Sequence, residues 1–198
     1  TGTPKGVVVT HGNLANKMLA LVSDFGVNEA FRSALFIPSS FDASIEQTLL
    51  PLVGGGAAVI ISDDAREAPQ KFWDQLNSAA VTFVSCVPSY LETMLHQVPA
   101  GVSLDHLALG GEAFTIQFKN NIQRQIGVGR ITNLYGPTEA TIDSISYPVG
   151  AEEAGPRIPI GRPMSGYRAY VLDDGLEPVP SGVAGELYIA GAGLARGY

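Results

Sequence analysis

Short apolar, β-branched runs alternate along the chain with longer stretches in which apolar residues return every three or four positions. Residues 7–9 precede such a stretch at 14–22, 34–37 precede 44–53, and 57–61 precede 70–79. The rhythm continues with 81–85 before 89–95, 107–109 before 115–126, and 130–135 before the Gly136-Pro137 turn. Strand-sized runs in this alternation predict an α/β fold, a mainly parallel sheet with flanking helices. Local punctuation agrees: Thr10 and Ser44 are candidate N-caps, Pro69 suits a first helical turn, Gly54 to Gly56 stop one helix, and Gly127 and Gly129 stop another. Past Pro148 the character changes. Residues 152–162 read as loop, and 169–172 and 186–189 read as strands between the Asp173-Asp174-Gly175 and Pro180-Ser181-Gly182 turns. The expected organisation is therefore an α/β core over 1–155 and a β-rich part over 156–198.

Composition narrows the function classes. The 198 residues carry 12 Lys and Arg against 19 Asp and Glu, a formal charge of −7. No basic face is available for a nucleic-acid backbone, so a phosphate ligand must be small and locally gripped. Apolar runs such as 57–61 fall far short of the ~20 residues that span a bilayer, so no membrane segment is expected. Cys86 is the single cysteine, which excludes an internal disulfide and a cysteine-based zinc site and suits a reducing, cytoplasmic compartment. The chain starts at Thr1 without Met, and a piece of a longer protein is expected.

Several segments carry candidate chemistry. Thr1-Gly2-Thr3-Pro4-Lys5-Gly6 is small, hydroxylated and glycine-rich with one cation, a composition that suits phosphate oxygens, although it lacks Walker spacing and an ordinary turn reads the same way. Asn133 to Glu139 follows a predicted strand, where open α/β sheets bind ligands. It offers an aromatic face, a hydroxyl and a carboxylate suited to Mg²⁺. Asp42 and Glu46 lie four residues apart and share one helical face if the helix begins that early. Gly191-Ala192-Gly193 comes close to a dinucleotide fingerprint with the wrong spacing. His11, His96 and His106 have no paired metal spacing, and Cys86, at the end of an apolar run, reads as a packed small residue. Asp63-Asp64, Glu152-Glu153 and Asp173-Asp174 are expected to face solvent.

Taken in order, Thr1 to Gly6, Phe41-Asp42-Ala43-Ser44, Gly110-Gly111-Glu112, Asn133 to Glu139, and Gly185 to Tyr198 strongly resemble the adenylation domains of nonribosomal peptide synthetases, over the whole chain. The resemblance implies activation of an amino acid by Mg²⁺ and ATP, with release of pyrophosphate and transfer of the acyl group to the phosphopantetheine thiol of a carrier domain. Carrier and condensation domains are then expected partners, in the same polypeptide. By motif match, Thr1, Gly2, Thr3 and Lys5 belong to the phosphate loop. Tyr135 stacks on adenine, with Gly111, Glu112 and Asn133 lining the base, while Thr138 contacts the α-phosphate and Glu139 holds Mg²⁺. The family continues into a β-barrel, of which only the start is matched here, and a C-terminal subdomain with a catalytic lysine, which is not matched, so the chain alone is expected to adenylate poorly. The alternatives are another adenylate-forming ligase, for acyl-CoA or aryl-acid formation, or a nucleotide-binding module without turnover.

The same resemblance implies an amino-acid pocket lined by Asp42, Ala43, Glu46, Ser85, Ala108, Gly110, Leu134, Ile142 and Asp143. Asp42 matches the acid that pairs with the substrate α-ammonium. Glu46 and Asp143 remain, and because unpaired buried carboxylates are costly, they imply a basic side chain such as that of lysine, ornithine or arginine.

Overall fold

A computed structural model describes residues 6–198; the expectations placed on Thr1, Gly2, Thr3 and Lys5 lie outside the described residues. The elements follow as α1 (His11–Phe25), β1 (Arg32–Leu35), α2 (Ala43–Val53), β2 (Ala57–Ile60), α3 (Asp63–Glu67), α4 (Pro69–Ser78), β3 (Phe83–Cys86), α5 (Pro88–Met94), β4 (Ser103–Gly110), α6 (Ile116–Gln125), β5 (Gly127–Tyr135), β6 (Ile145–Pro148), β7 (Arg162–Pro163), β8 (Tyr167–Leu172) and β9 (Glu186–Gly191). The principal sheet runs β2-β1-β3-β4-β5-β6-β7, and β8 and β9 form a separate pair. From β2 to β5 the strands are parallel, and β6 and β7 join antiparallel.

Alternation along each central strand feeds two cores. Leu107 and Leu109 of β4 face Phe72, Trp73, Leu91 and Ile122 of α4, α5 and α6, whereas Ala108 and Phe83 face Met18, Leu21 and Leu50 of α1 and α2. Helices thus cover both faces, which is why these strands read as continuous apolar runs. Trp73 completes its core by donating its indole N–H to the Met94 carbonyl at 2.8 Å.

Thr10 caps α1 as expected, in a reciprocal pair with Asn13, and Gly26 ends the helix in the left-handed conformation at φ 65°. Pro69 opens α4, and Gly54 closes α2. Three expectations are corrected. Asp42, not Ser44, holds the N-cap position of α2, and the Ser44 hydroxyl turns back to the Phe41 carbonyl. Gly127 and Gly129 lie inside β5, because α6 already ends at Ile126. Residues 7–9 form no strand; Val8 instead exchanges backbone hydrogen bonds with Gly197 and Arg196, leaving its side chain half outside the core.

His106 of β4 is buried between the rings of Phe25 and Phe83. The Arg130 guanidinium stands 3.1 Å from its Nδ1, while its Nε2 lies 2.8 Å from the Thr132 hydroxyl. Burial and the Arg130 charge push its pKa down from 6.5 to about 3. The unfolded chain therefore takes up a proton near pH 6.5 that the folded chain refuses. This contribution to stability is complete above pH 6.5 and falls by ~1.4 kcal/mol per pH unit as the pH drops toward 3. Denaturant melts of the parent and of His106→Gln at pH 7 and 4.5 should differ in slope, with the variant the flatter. Equal slopes would show that His106 is already charged in the folded chain.

Candidate functional site

The strand order places β1 between β2 and β3, so the chain leaves β1 to one side and returns on the other, opening a crevice at the carboxyl ends of β1 and β3. Only one residue pair, Ser33 with Phe83, joins these strands in register. Gln47 of α2 spans the gap beyond. Fully buried, its Oε1 accepts the backbone N–H of Phe36 and of Ile37, each at 3.0 Å, and its Nε2 donates to the Ser85 carbonyl at 2.8 Å. The two strand ends are thereby held apart at a fixed distance.

Above them lies a cleft of about 560 Å³. Its wall includes Asp42, Ala43, Glu46, Ser85, Gly110, Gly111, Glu112, Leu134, Thr138, Ile142 and Asp143. Most of the sequence-selected pocket thus converges from α2, β3, β4 and β5. Ala108 does not reach it; this residue is fully buried in the α1 and α2 core, because its strand position faces that layer.

The polar groups divide into spent and unspent. Glu112 clamps the start of α5, its carboxylate accepting the Ser89 N–H at 2.9 Å and the Ser89 hydroxyl at 2.7 Å. Asn133 is buried and donates its amide to the Pro159 carbonyl at 2.8 Å. Both side chains are therefore engaged within the protein. Tyr135 is 39% exposed at the end of β5, beside the cleft and not among the residues that line it. Asp42 makes no capping hydrogen bond, lines the cleft, and no hydrogen bond or ion pair to its carboxylate occurs among the described residues. Cys86 also lines the cleft, but burial and nearby Glu112 push its thiol up to about 12, so it stays protonated and inert, as a packed residue should.

Glu46 and Asp143 have the cation that the sequence expectation assigned to a substrate. Lys17 reaches from α1, completely buried, to 3.1 Å from Asp143 Oδ2 and 3.9 Å from Glu46 Oε2. The premise of two unpaired acids is thereby corrected. Sequence reading missed both Lys17 and Gln47. Each is a polar residue on the apolar stripe of its helix, beside Leu14, Met18 and Leu21 for Lys17 and Leu50 for Gln47, and that placement was the available signal.

The segment after β5 is tightly constrained. Residues Thr138–Ala140 form a single 3₁₀ turn, followed by Thr141 at φ 60° and Ile142 at φ 73°. The Asp143 N–H returns to the Thr141 carbonyl at 3.0 Å, closing a three-residue turn around a β-branched centre, a strained arrangement. Neighbours enforce it: the Thr141 hydroxyl donates to the Gly193 carbonyl at 2.7 Å, the Ser144 N–H to Tyr135, and Lys17 holds Asp143. Gly136 is required here because a Cβ would overlap the Asp143 backbone. Glu139 lies on the 3₁₀ turn, and the Tyr198 hydroxyl donates to its carboxylate. Among the described residues no helix is long and apolar enough to cross a membrane, and no group of three or more His, Cys, Asp or Glu is arranged to hold a metal.

The cleft lies at the switch point of the sheet, walled by Gly110 and Gly111 at a strand end and by the Asp42 carboxylate, unpartnered among the described residues, where open α/β sheets bind ligands. The AMP-binding enzyme family model matches residues 1–198, and the chain belongs to that family. Along its whole length it is similar to segments of nonribosomal peptide synthetases. Malpinin synthetase of Mortierella alpina is 37% identical over 198 residues, all of this chain and 2% of its own length. The dimodular nonribosomal peptide synthase of Bacillus subtilis is 37% identical over 199 residues, all of this chain and 8% of its own. Among solved structures, the four-domain nonribosomal peptide synthetase holo-AB3403, bound to AMP and glycine, superposes with a TM-score of 0.91 at 30% identity, covering 100% of this chain and 15% of that one. The chain thus spans a small part of the relatives it matches.

Proposed function

We propose that this chain supplies the substrate cleft of an ATP-dependent, adenylate-forming ligase that activates an α-amino acid for peptide synthesis on a carrier-domain phosphopantetheine thiol, with condensation and carrier domains in the same polypeptide. The observation that carries this reading is Asp42, a carboxylate on the cleft wall with no partner of its own among the described residues. An anion so placed calls for a cation, and the α-ammonium of an amino acid supplies one.

In the reaction, the substrate carboxylate attacks the α-phosphate of ATP; a carboxyl oxygen to phosphorus bond forms as the bond to the pyrophosphate oxygen breaks. The protein contributes placement and charge balance. Asp42 anchors the amino acid, Thr138, which lines the same cleft, offers a hydroxyl to the α-phosphate, and the exposed Tyr135 offers its ring to the base. Gly110 and Gly111 keep the opposite wall low, while Glu112 and Asn133, held by Ser89 and Pro159, shape the base site. Mg²⁺ takes one or two protein carboxylates along with phosphate oxygens and water, and the Glu139 carboxylate, which accepts from the Tyr198 hydroxyl, would be the one to hold it. Bound there, Mg²⁺ would neutralise phosphate charge.

The test is amino-acid-dependent exchange of labelled pyrophosphate into ATP by a protein carrying this chain with its flanking segments. Exchange with α-amino acids and not with their des-amino analogues is expected. Exchange with the analogues would assign it to another adenylate-forming ligase, and nucleotide binding without exchange would leave a module without turnover.

A further inference from the structure

The cluster behind the cleft contains two carboxyl groups and one ammonium. Glu46, on α2, is 1% exposed; its Oε1 lies 3.5 Å from the Ser85 hydroxyl of β3, and its Oε2 has no hydrogen-bond partner. Asp143, from the loop before β6, takes the closer contact with Lys17, whose ammonium also lies 3.5 Å from Met164 Sδ. Glu46 and Asp143 line the cleft, whereas Lys17 stands behind them. Burial and the Asp143 charge push the Glu46 carboxyl well above the usual range, more than Lys17 lowers it. Lys17 is thus a built-in counter-cation that faces both carboxyl groups at this end of the pocket.

We propose that Lys17 is a specificity-determining residue: as the built-in counter-cation of Asp143 and Glu46, it makes the pocket take an α-amino acid whose side chain is uncharged and bears a hydrogen-bonding group. The inference rests on the amino-acid reading above. A substrate ammonium brought to this end would be buried beside the Lys17 ammonium, which already occupies the carboxyl groups that could receive it. A hydroxyl or amide, in contrast, meets the Glu46 carboxyl and the Ser85 hydroxyl, and the remaining wall, with Ala43, Leu134 and Ile142, suits an aliphatic stem.

Pyrophosphate exchange over a panel of serine, threonine, asparagine, glutamine, lysine, ornithine and arginine tests this in the protein with its flanking segments. The parent should prefer the uncharged group by tenfold or more. Lys17→Met leaves Asp143 with no cation and should move the ratio of basic to uncharged exchange upward by about a hundredfold. Asp143→Asn also breaks the ion pair, but it leaves Lys17 to pair with an ionised Glu46, and should keep basic amino acids excluded. A shift in one variant and none in the other, although both break the same ion pair, separates charge selection from support of the fold. Should Lys17→Met fail to melt cooperatively, the double variant Lys17→Met with Asp143→Asn restores charge balance and is expected to keep the parent preference. A parent that prefers basic amino acids, a Lys17→Met ratio like the parent's, or a double variant that takes basic amino acids would overturn the inference and leave amino-acid activation standing. No exchange with any amino acid would overturn both.

Discussion

Asp42→Ala is expected to lower kcat/KM for exchange with every α-amino acid by roughly a hundredfold to several-thousandfold, the equivalent of the ~3–5 kcal/mol lost when one partner of a buried ion pair is removed. The loss follows from the position of the carboxylate. It stands at the N-cap of α2 yet accepts no capping hydrogen bond, so its acceptor capacity is held for a ligand on the cleft wall. For the same reason the fold should barely notice the change. Surface substitutions that break no cap or core contact shift stability by about 0.5 kcal/mol or less, and the melting curve of Asp42→Ala should overlay the parent's. A loss equal for α-amino acids and for other acids, or a lowered melt that accounts for it, would remove Asp42 from recognition.

Gln47→Leu should do the reverse and cost the fold itself several kcal/mol. Its amide satisfies three backbone groups, the N–H of Phe36 and Ile37 and the carbonyl of Ser85, where β1 and β3 share a single register pair. Leucine fills similar volume and strands all three, at about 1–3 kcal/mol for each unsatisfied buried group. Against a domain stability of ~5–15 kcal/mol, that is a large share. Gln47→Glu tests the mechanism further, because a carboxylate still accepts from both N–H groups but cannot donate to Ser85, and should fall between. Urea denaturation measures both. A loss below about 1 kcal/mol for Gln47→Leu would mean that water or strand movement takes over the amide's role.

The sequence carried the central layer of this fold well because burial on both faces writes itself as apolar runs. β3 and β4 were legible for that reason, and α1 and α4 because Thr10 and Pro69 are local signals whose partners lie within one turn. Signals that depend on distant chain were not legible. β6 and β7 are four and two residues long, and they exist only because β5 offers an edge. Gly127 and Gly129 resemble helix stops but sit in β5, where glycine allows Ser103 and Asp105 of the next strand to approach closely. In the candidate site, the motif residues Asp42, Gly110, Gly111 and Thr138 were visible and do meet at the cleft. Lys17 was not, since its partner Asp143 lies 126 residues away and no local pattern reveals an ion pair between them.

Ile142 counts twice in any attempt to change what this pocket accepts. It is a wall residue and also the centre of a turn at φ 73°, a backbone conformation that a β-branched residue adopts only at the expense of ~1–3 kcal/mol. A library at this position therefore samples two properties at once. Glycine or asparagine would widen the cavity and relax the turn, whereas valine would trim the wall and keep the strain. Winners of such a screen would be chosen partly for backbone ease, and their apparent preference for a new substrate would owe as much to the loop as to the side chain that faces it.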